Sequence, residues 1–438
     1  MSELRVDFRG ELLGHLVGDS QEFDFVVDTA AVRRYGLDSL ALSAAIPLLP
    51  RAPRRARALR QNFFTELLPE GRARTVLADL ARLDESDGFG LLRVYGRDVA
   101  GALQIWDESD PTEPRSPVAL PVDDVAVEQM LQEVSRAPLG NLRSTGKTSL
   151  AGVQSKIVLV RTDAGWARAV DGYPSTHIVK PIVGDLPTMI FDEEYGSRFA
   201  RALGLADFES HLTRFGNTAA LVIERYDRSP FASDGRLHQE DFSQVLGLHG
   251  NQKYEELGGR RLRDVAAFLK SDDLLKLLRM TVLSAAIGNL DMHAKNISLL
   301  HLEDGTVRLA PMYDVVPFVH QAGDGRMAFA IDGELDQRLL TRAHLVSEGE
   351  SWGIRDGETV VNETLDTVLE LAISERPEVA AHHNLQYDVQ RFTGNLIAGR
   401  ETANDGDGAF VAHPDGGRAN GAWAQPRHPL PSAEGSSL

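Results

Sequence analysis

The chain has 438 residues and no cysteine. Disulfides, thiolate metal sites and a cysteine nucleophile are therefore excluded. It is also poor in base relative to acid: 46 Lys plus Arg face 64 Asp plus Glu, a formal net charge of −18. Phosphate-rich partners attract basic faces, so the excess of acid argues against nonspecific binding to nucleic acid or to an anionic membrane as the main activity. A basic partner suits that balance. No uninterrupted apolar run reaches the ~18 residues of a membrane span; the longest candidate, 274–287, is broken by Lys276, Arg279 and Ser284. The N-terminus, Met1-Ser2-Glu3-Leu4-Arg5-Val6-Asp7, carries charges where a signal peptide needs an apolar core. A cytoplasmic protein with no membrane contact is the expectation.

Domains usually run to about 100–200 residues, so two or three units are expected. Residues 1–107 read as a small α+β unit. Phe23, Phe25 and Val27 alternate with polar positions as in a half-buried strand, although Val26 breaks the pattern. The basic stretch Arg51-Ala52-Pro53-Arg54-Arg55-Ala56-Arg57 reads as a solvated loop. A short helix over 63–71, stopped by Pro69 and Gly71, and a longer one over 72–82 are predicted. Residues 108–122, rich in Pro, Asp, Glu and Ser, read as a linker. A helix over 123–134, strands over 157–160, 177–180 and 218–226, and a helix over 191–203 follow. From 240 to 400 the chain reads as mainly helical, apart from a hairpin over 298–314 that turns at Glu303-Asp304-Gly305. The last stretch, 401–438, has no helical period and reads as a disordered tail.

The most informative segment is Gly288-Asn289-Leu290-Asp291-Met292-His293-Ala294-Lys295-Asn296, at the end of an apolar helix predicted over 274–286. A core helix rarely releases into so many polar groups without partners for them, since an unpaired buried polar group costs about 1–3 kcal/mol. Asp291 and Asn296 stand at the spacing of a phosphotransferase loop, carboxylate for the attacking hydroxyl and carboxamide for magnesium. That reading calls for a second metal-binding Asp on an extended segment, and Leu309-Ala310-Pro311-Met312-Tyr313-Asp314 supplies it. It also calls for a phosphate-contacting lysine on a strand. Thr176-His177-Ile178-Val179-Lys180-Pro181 provides Lys180, and Asp192-Glu193-Glu194 on the following helix offers a partner for it.

Competing motifs fail. Gly146-Lys147-Thr148 ends like a phosphate-binding P-loop, but position 141 is Asn141 where that loop needs glycine. His293 has no partner at a zinc-binding spacing and reads as a structural, hydrogen-bonding residue. No G-x-S-x-G nucleophile elbow is present.

The ordered set Ser149-Leu150-Ala151-Gly152-Val153-Gln154-Ser155-Lys156, Thr176 to Pro181, Glu224-Arg225-Tyr226-Asp227-Arg228, His238-Gln239-Glu240-Asp241-Phe242, Lys253-Tyr254-Glu255, Gly288 to Asn296 and Tyr313-Asp314 resembles the HipA serine/threonine kinases. These are the toxin halves of bacterial HipBA-type toxin–antitoxin modules. Leu67-Leu68-Pro69-Glu70-Gly71 and Gly101-Ala102 resemble that family's N-terminal subdomain. The resemblance runs from near the start to about residue 400.

It implies an α+β, two-lobed protein-kinase-like fold. An N-terminal subdomain would occupy 1–107, an N-lobe with the nucleotide loop 123–230, and a helical C-lobe with the catalytic loop 231–400. The cofactors implied are ATP and Mg2+. Asp291 would be the proton acceptor, Asn296 and Asp314 the magnesium ligands, and Lys180 a phosphate contact. Glu224, Arg225 and Tyr226 would form the hinge around adenine. Ala151, Gly152, Val153, Gln154, Ser155 and Lys156 would cover the nucleotide, with His293, Ala294, Lys295 and Tyr313 bordering it. Ser149 matches the serine that family members autophosphorylate, which ejects the loop. Ser155 departs from the family, which often has Glu there. The implied partners are a small helix-turn-helix DNA-binding antitoxin (HipB-like), with DNA reached only through it, and a protein substrate of the aminoacyl-tRNA synthetase kind. A corepressor with weak catalysis and a small-molecule kinase are the alternatives; the intact Asp291, Asn296, Asp314 and Lys180 argue against the first, the N-terminal subdomain against the second.

Overall fold

The computed structural model describes residues 2–141, 146–320 and 324–404, which belong to one compact unit. The tail expected after residue 400 lies outside the described residues from 405 onward. Among the described residues no helix is long and apolar enough to cross a membrane.

Three apolar clusters divide the structure. The first is built on an antiparallel sheet of β1 (Ser2–Phe8), β2 (Glu11–Gly18), β3 (Phe23–Val27) and β4 (Leu103–Trp106), in the order β3-β2-β1-β4. Phe23, Phe25 and Val27 point inward and Val26 outward, the half-buried alternation read from the sequence. Helices Arg57–Thr65, Gly71–Ala81 and Gly88–Tyr95 pack on this sheet. The first of these differs from the expectation, running earlier and ending at Thr65. Its Arg60 is buried because the guanidinium grips Asp24 of β3 at 2.7 and 2.9 Å. The basic stretch therefore runs into a helix, and Gly71 opens the next helix instead of closing this one.

The second cluster lies in a sheet ordered β5-β7-β6-β8-β10-β9: β5 (Val118–Val122), β6 (Ile157–Thr162), β7 (Gly165–Val170), β8 (His177–Pro181), β9 (Ser210–Phe215) and β10 (Thr218–Glu224). The stretch expected to be a linker thus ends in an edge strand. Pro121 hid it, because proline is tolerated in a sheet only where no partner needs its N–H. Helix Met189–Ala202 packs beside this sheet. On this helix Gly196 lets the segment that follows Asp314 come close, since a Cβ there would overlap the Val315 carbonyl oxygen.

The third and largest cluster is helical and centres on Ser271–Ile287, buried on nearly every side over its second half. It stops at Gly288, whose φ of 70° is a left-handed cap. A small sheet of β11 (His238–Asp241), β12 (Ser298–His301) and β13 (Val307–Leu309) follows, its hairpin turning where Asp304-Gly305 predicts. Helix Phe242–Leu246 begins with a capping box of Asp241 and Gln244. The Gln244 amide also donates to the Phe63 carbonyl at 2.8 Å, joining this lobe to the N-terminal subdomain.

Candidate active site

Strand β8 carries Lys180 into the space between the two main lobes. Its ammonium donates to Glu193 Oε1 at 2.7 Å and to Asp314 Oδ1 at 2.6 Å. Burial works against the charge on Lys180, but Asp314 and Glu193 outweigh it and hold its pKa above the ordinary lysine range. Burial likewise pushes the Asp314 carboxyl up, and Lys180 overrides it, holding the group down at about 2. Of the three acids offered by Asp192-Glu193-Glu194, the middle one meets the lysine. Asp192 accepts from the Thr188 hydroxyl at 2.7 Å, and Glu194 pairs with Arg198 at 2.7 Å.

Asp314 sits at φ +56°. A non-glycine residue held there costs about 1–3 kcal/mol and persists only where surroundings enforce it. Here the Lys180 bond and the buried Val315 and Val316 that follow do so.

The loop after Gly288 brings Asp291 and Asn296 together. The Asn296 amide nitrogen donates to the Asp291 carbonyl at 2.8 Å, which leaves the carboxamide oxygen as the free end. The Asp291 carboxylate accepts from the Tyr254 hydroxyl at 2.9 Å. Burial raises its pKa to about 6, against the lowering effect of the Tyr254 bond. Asn296 and Asp314 offer hard oxygens, the donor type magnesium takes. No group of three His, Asp or Glu side chains able to hold a metal occurs among the described residues. Two such oxygens fit an ion that completes its shell with phosphate oxygens and water.

His293 packs edge-on against Tyr254, with ring centroids 5.2 Å apart, and lies 3.9 Å from Asp291. Burial, then Lys253, lower its pKa to about 3, so it is neutral. Ala294 is buried, and Lys295 turns away from the cleft to meet Glu66 at 2.5 Å and Glu70 at 3.0 Å. Tyr313 stacks on Tyr226 with centroids 5.5 Å apart, and its hydroxyl donates to the Lys295 carbonyl at 2.6 Å.

At the end of β10, Glu224 is exposed and Tyr226 half-buried. Arg225 points the other way. Its guanidinium donates to Asp227 at 2.8 Å, to Ser175 at 2.8 Å and to the Val99 carbonyl at 2.9 Å. Arg228 donates to Asp98 at 2.8 Å. The side chain of Arg225 therefore ties this connection to the N-terminal subdomain, while its N–H donates to the Thr176 carbonyl at 2.9 Å.

The nucleotide-loop candidate runs from Ser149 to Lys156. Ser149 is fully buried; its N–H donates to the Asp98 carbonyl at 3.0 Å and its hydroxyl to the Leu67 carbonyl at 2.9 Å. Gly152 adopts φ +105°, while Val153 is exposed at the tip. Gln154 reaches the Met189 sulfur at 3.1 Å. The Lys156 ammonium donates to the Ala151 carbonyl at 3.1 Å, closing the loop on itself. Burial, then the charge of Lys180, lower its pKa to about 8. Ser155 is half-buried beside it. Of the rejected P-loop segment, Asn141 donates to the Thr148 carbonyl at 2.7 Å and accepts from its N–H at 3.1 Å.

Sequence reasoning gave no role to Glu66, Glu70, Asp98, Lys253 or Tyr254. Glu70 lies in Leu67-Leu68-Pro69-Glu70-Gly71, and Lys253 and Tyr254 in the Lys-Tyr-Glu triplet, so their motifs were visible but their contacts, across 183 and 37 positions, were not.

Comparison with known proteins agrees with this layout. The HipA-like C-terminal domain model matches residues 148–374, more than half of the chain, and the HipA N-terminal domain model matches 4–106. Y4mE of Sinorhizobium fredii, whose name marks it provisionally as a kinase, is 35% identical over 295 residues, 64% of this chain and 69% of the relative. The serine/threonine-protein kinase toxin HipA of Shewanella oneidensis is 27% identical over 365 residues, 78% of this chain and 82% of the relative. A solved Shewanella oneidensis complex of HipA, HipB and operator DNA contains a chain that superposes with a TM-score of 0.71 at 23% identity, over 90% of this chain and 96% of that one. The α+β, two-lobed kinase-like fold is thereby established, and the chain belongs to the HipA family.

Proposed function

We propose that this protein is an ATP- and magnesium-dependent serine/threonine protein kinase, the toxin of a toxin–antitoxin pair. The Lys180 bridge between Glu193 and Asp314, with Asp291 and Asn296 on the neighbouring loop, carries that reading. It is the set of positions that phosphoryl transfer to a hydroxyl requires.

In this mechanism Lys180 binds the nucleotide's phosphates, exchanging part of its bond to Asp314 for them. Asn296 and Asp314 would hold magnesium through oxygen. The chemistry the ion would supply when bound is neutralisation of phosphate charge. Asp291 orients the acceptor hydroxyl and takes its proton. One carboxylate oxygen is engaged by Tyr254, so the other is the accepting atom. Tyr226 and Tyr313 offer stacked rings on the hinge side, suited to an adenine, and the loop from Ala151 to Lys156 covers the nucleotide.

The same reading makes Ser149 the autophosphorylated residue. A phosphate cannot be accommodated where the hydroxyl now meets the Leu67 carbonyl in a fully buried site. Modification would therefore expel the loop and switch the enzyme off. The external acceptor is a translation component of the aminoacyl-tRNA synthetase class. The partner is a HipB-like helix-turn-helix antitoxin, with which the protein acts as corepressor on DNA; an acidic surface suits such a basic protein.

Calorimetric titration with ATP tests the nucleotide site. Binding that strengthens with magnesium, and loses that strengthening in Asp314→Ala, is expected. Equal ATP affinity with and without magnesium would remove Asn296 and Asp314 from the metal site.

A further inference from the structure

The N-terminal subdomain reaches the catalytic loop through two carboxylates. Glu70 lies just before helix Gly71–Ala81, where an acidic side chain commonly caps the helix, yet it makes no capping bond. Its carboxylate instead lies between two lysines of the C-lobe, 2.6 Å from Lys253 and 3.0 Å from Lys295. Both lysines are buried, and Glu66 adds a contact to Lys295 at 2.5 Å. Burying two ammonium groups is costly unless each is paired, so Glu70 and Glu66 fix where these lysines can sit.

Each lysine stands next to a residue of the candidate site. Lys253 precedes Tyr254, whose hydroxyl donates to Asp291 Oδ1 at 2.9 Å and whose ring packs edge-on against His293. Glu255, on the other side, accepts from the Ala330 N–H at 2.9 Å, so the triplet is pinned at both ends. Lys295 precedes Asn296, and its own carbonyl accepts from Tyr313, the residue before Asp314.

We infer that Glu70 and Tyr254 are positioning residues for the catalytic loop: Glu70 clamps Lys253 and Lys295 from the N-terminal subdomain, and Tyr254 orients the Asp291 carboxylate. The N-terminal subdomain is on this account a working part of the active site. The inference rests on the kinase reading of Asp291. The side-chain contacts of Glu70 and Tyr254 run to Lys253, Lys295 and Asp291 and not to strand β8, so their loss is expected to slow transfer without weakening ATP binding.

The test is single-turnover phosphate incorporation into the full chain from labelled ATP with magnesium. The maximal rate and the half-saturating ATP concentration are measured separately. Glu70→Gln and Tyr254→Phe are expected to lower the maximal rate about ten- to a hundredfold, the scale of a misplaced reacting group, with half-saturation unchanged. Glu70→Asp, which keeps the charge, recovers part of the rate. Thermal melts and ADP titration establish that each variant is folded. Wild-type maximal rates in both Glu70→Gln and Tyr254→Phe would overturn the inference. So would a fall matched by an equal rise in half-saturating ATP, the signature of general loosening. Failure of the kinase reading is a separate outcome: wild-type protein that transfers no phosphate, or Asp291→Asn that transfers it undiminished.

Discussion

The Lys180 ammonium lies 2.6 Å from the Asp314 carboxylate, a contact that spans 134 positions of sequence. It joins the strand of one lobe to the segment of the other that carries Asp314. Lys180 is thus a structural tie as well as the proposed phosphate contact, and the two roles predict different losses. Lys180→Met leaves buried Glu193 without its cation. Breaking one side of a buried pair typically costs about 3–5 kcal/mol; a lowered melting temperature together with loss of phosphate incorporation is expected. Because Glu193 is already biased by burial toward its neutral form, the variant's stability deficit should shrink as pH falls. Melts at two pH values check the sign.

Asp291 acts as base only when ionised, and burial raises its pKa to about 6. The rate constant kcat/KM, which reports the free enzyme, should therefore fall as pH drops through about 6 and level off above it. Tyr254 donates to the carboxylate and so favours its charged form. Tyr254→Phe is expected to move the acid limb to higher pH. A limb that stays in place would mean the Tyr254 bond does not bear on the ionisation of Asp291.

Ser149→Ala removes one buried hydrogen bond to the Leu67 carbonyl. The cost should be modest, about 1 kcal/mol, and phosphate should vanish from the loop peptide while transfer to other acceptors persists. Ser149→Asp forces a charge against a carbonyl oxygen in a buried site. It should expel the loop, exposing 149–156 to limited proteolysis and weakening ATP binding. Protection equal to wild type would contradict the buried-switch account.

The candidate site could be proposed from sequence because kinase-type chemistry fixes local spacings. Asp291 and Asn296 are five residues apart, and the Asp304-Gly305 turn announced the hairpin that returns the chain to Asp314. The alternation of Phe23, Phe25 and Val27 likewise gave a strand. What stayed hidden depends on distant partners. Nothing near Glu70 in sequence signals that it neutralises two lysines of another lobe. Arg225 resembled a hinge residue by position, but its side chain is drawn into the ion network with Asp98 and Asp227. Strand β5 was masked by Pro121 and by side chains that remain exposed on a sheet edge, where periodicity fades.

The central claim is that Asp291 and Asp314 carry phosphoryl transfer. Mass spectrometry of the full chain after incubation with ATP and magnesium tests it most directly. Phosphate on Ser149 in the wild-type protein, absent from Asp291→Asn and Asp314→Ala, is the predicted result. Equal phosphate in all three would contradict it.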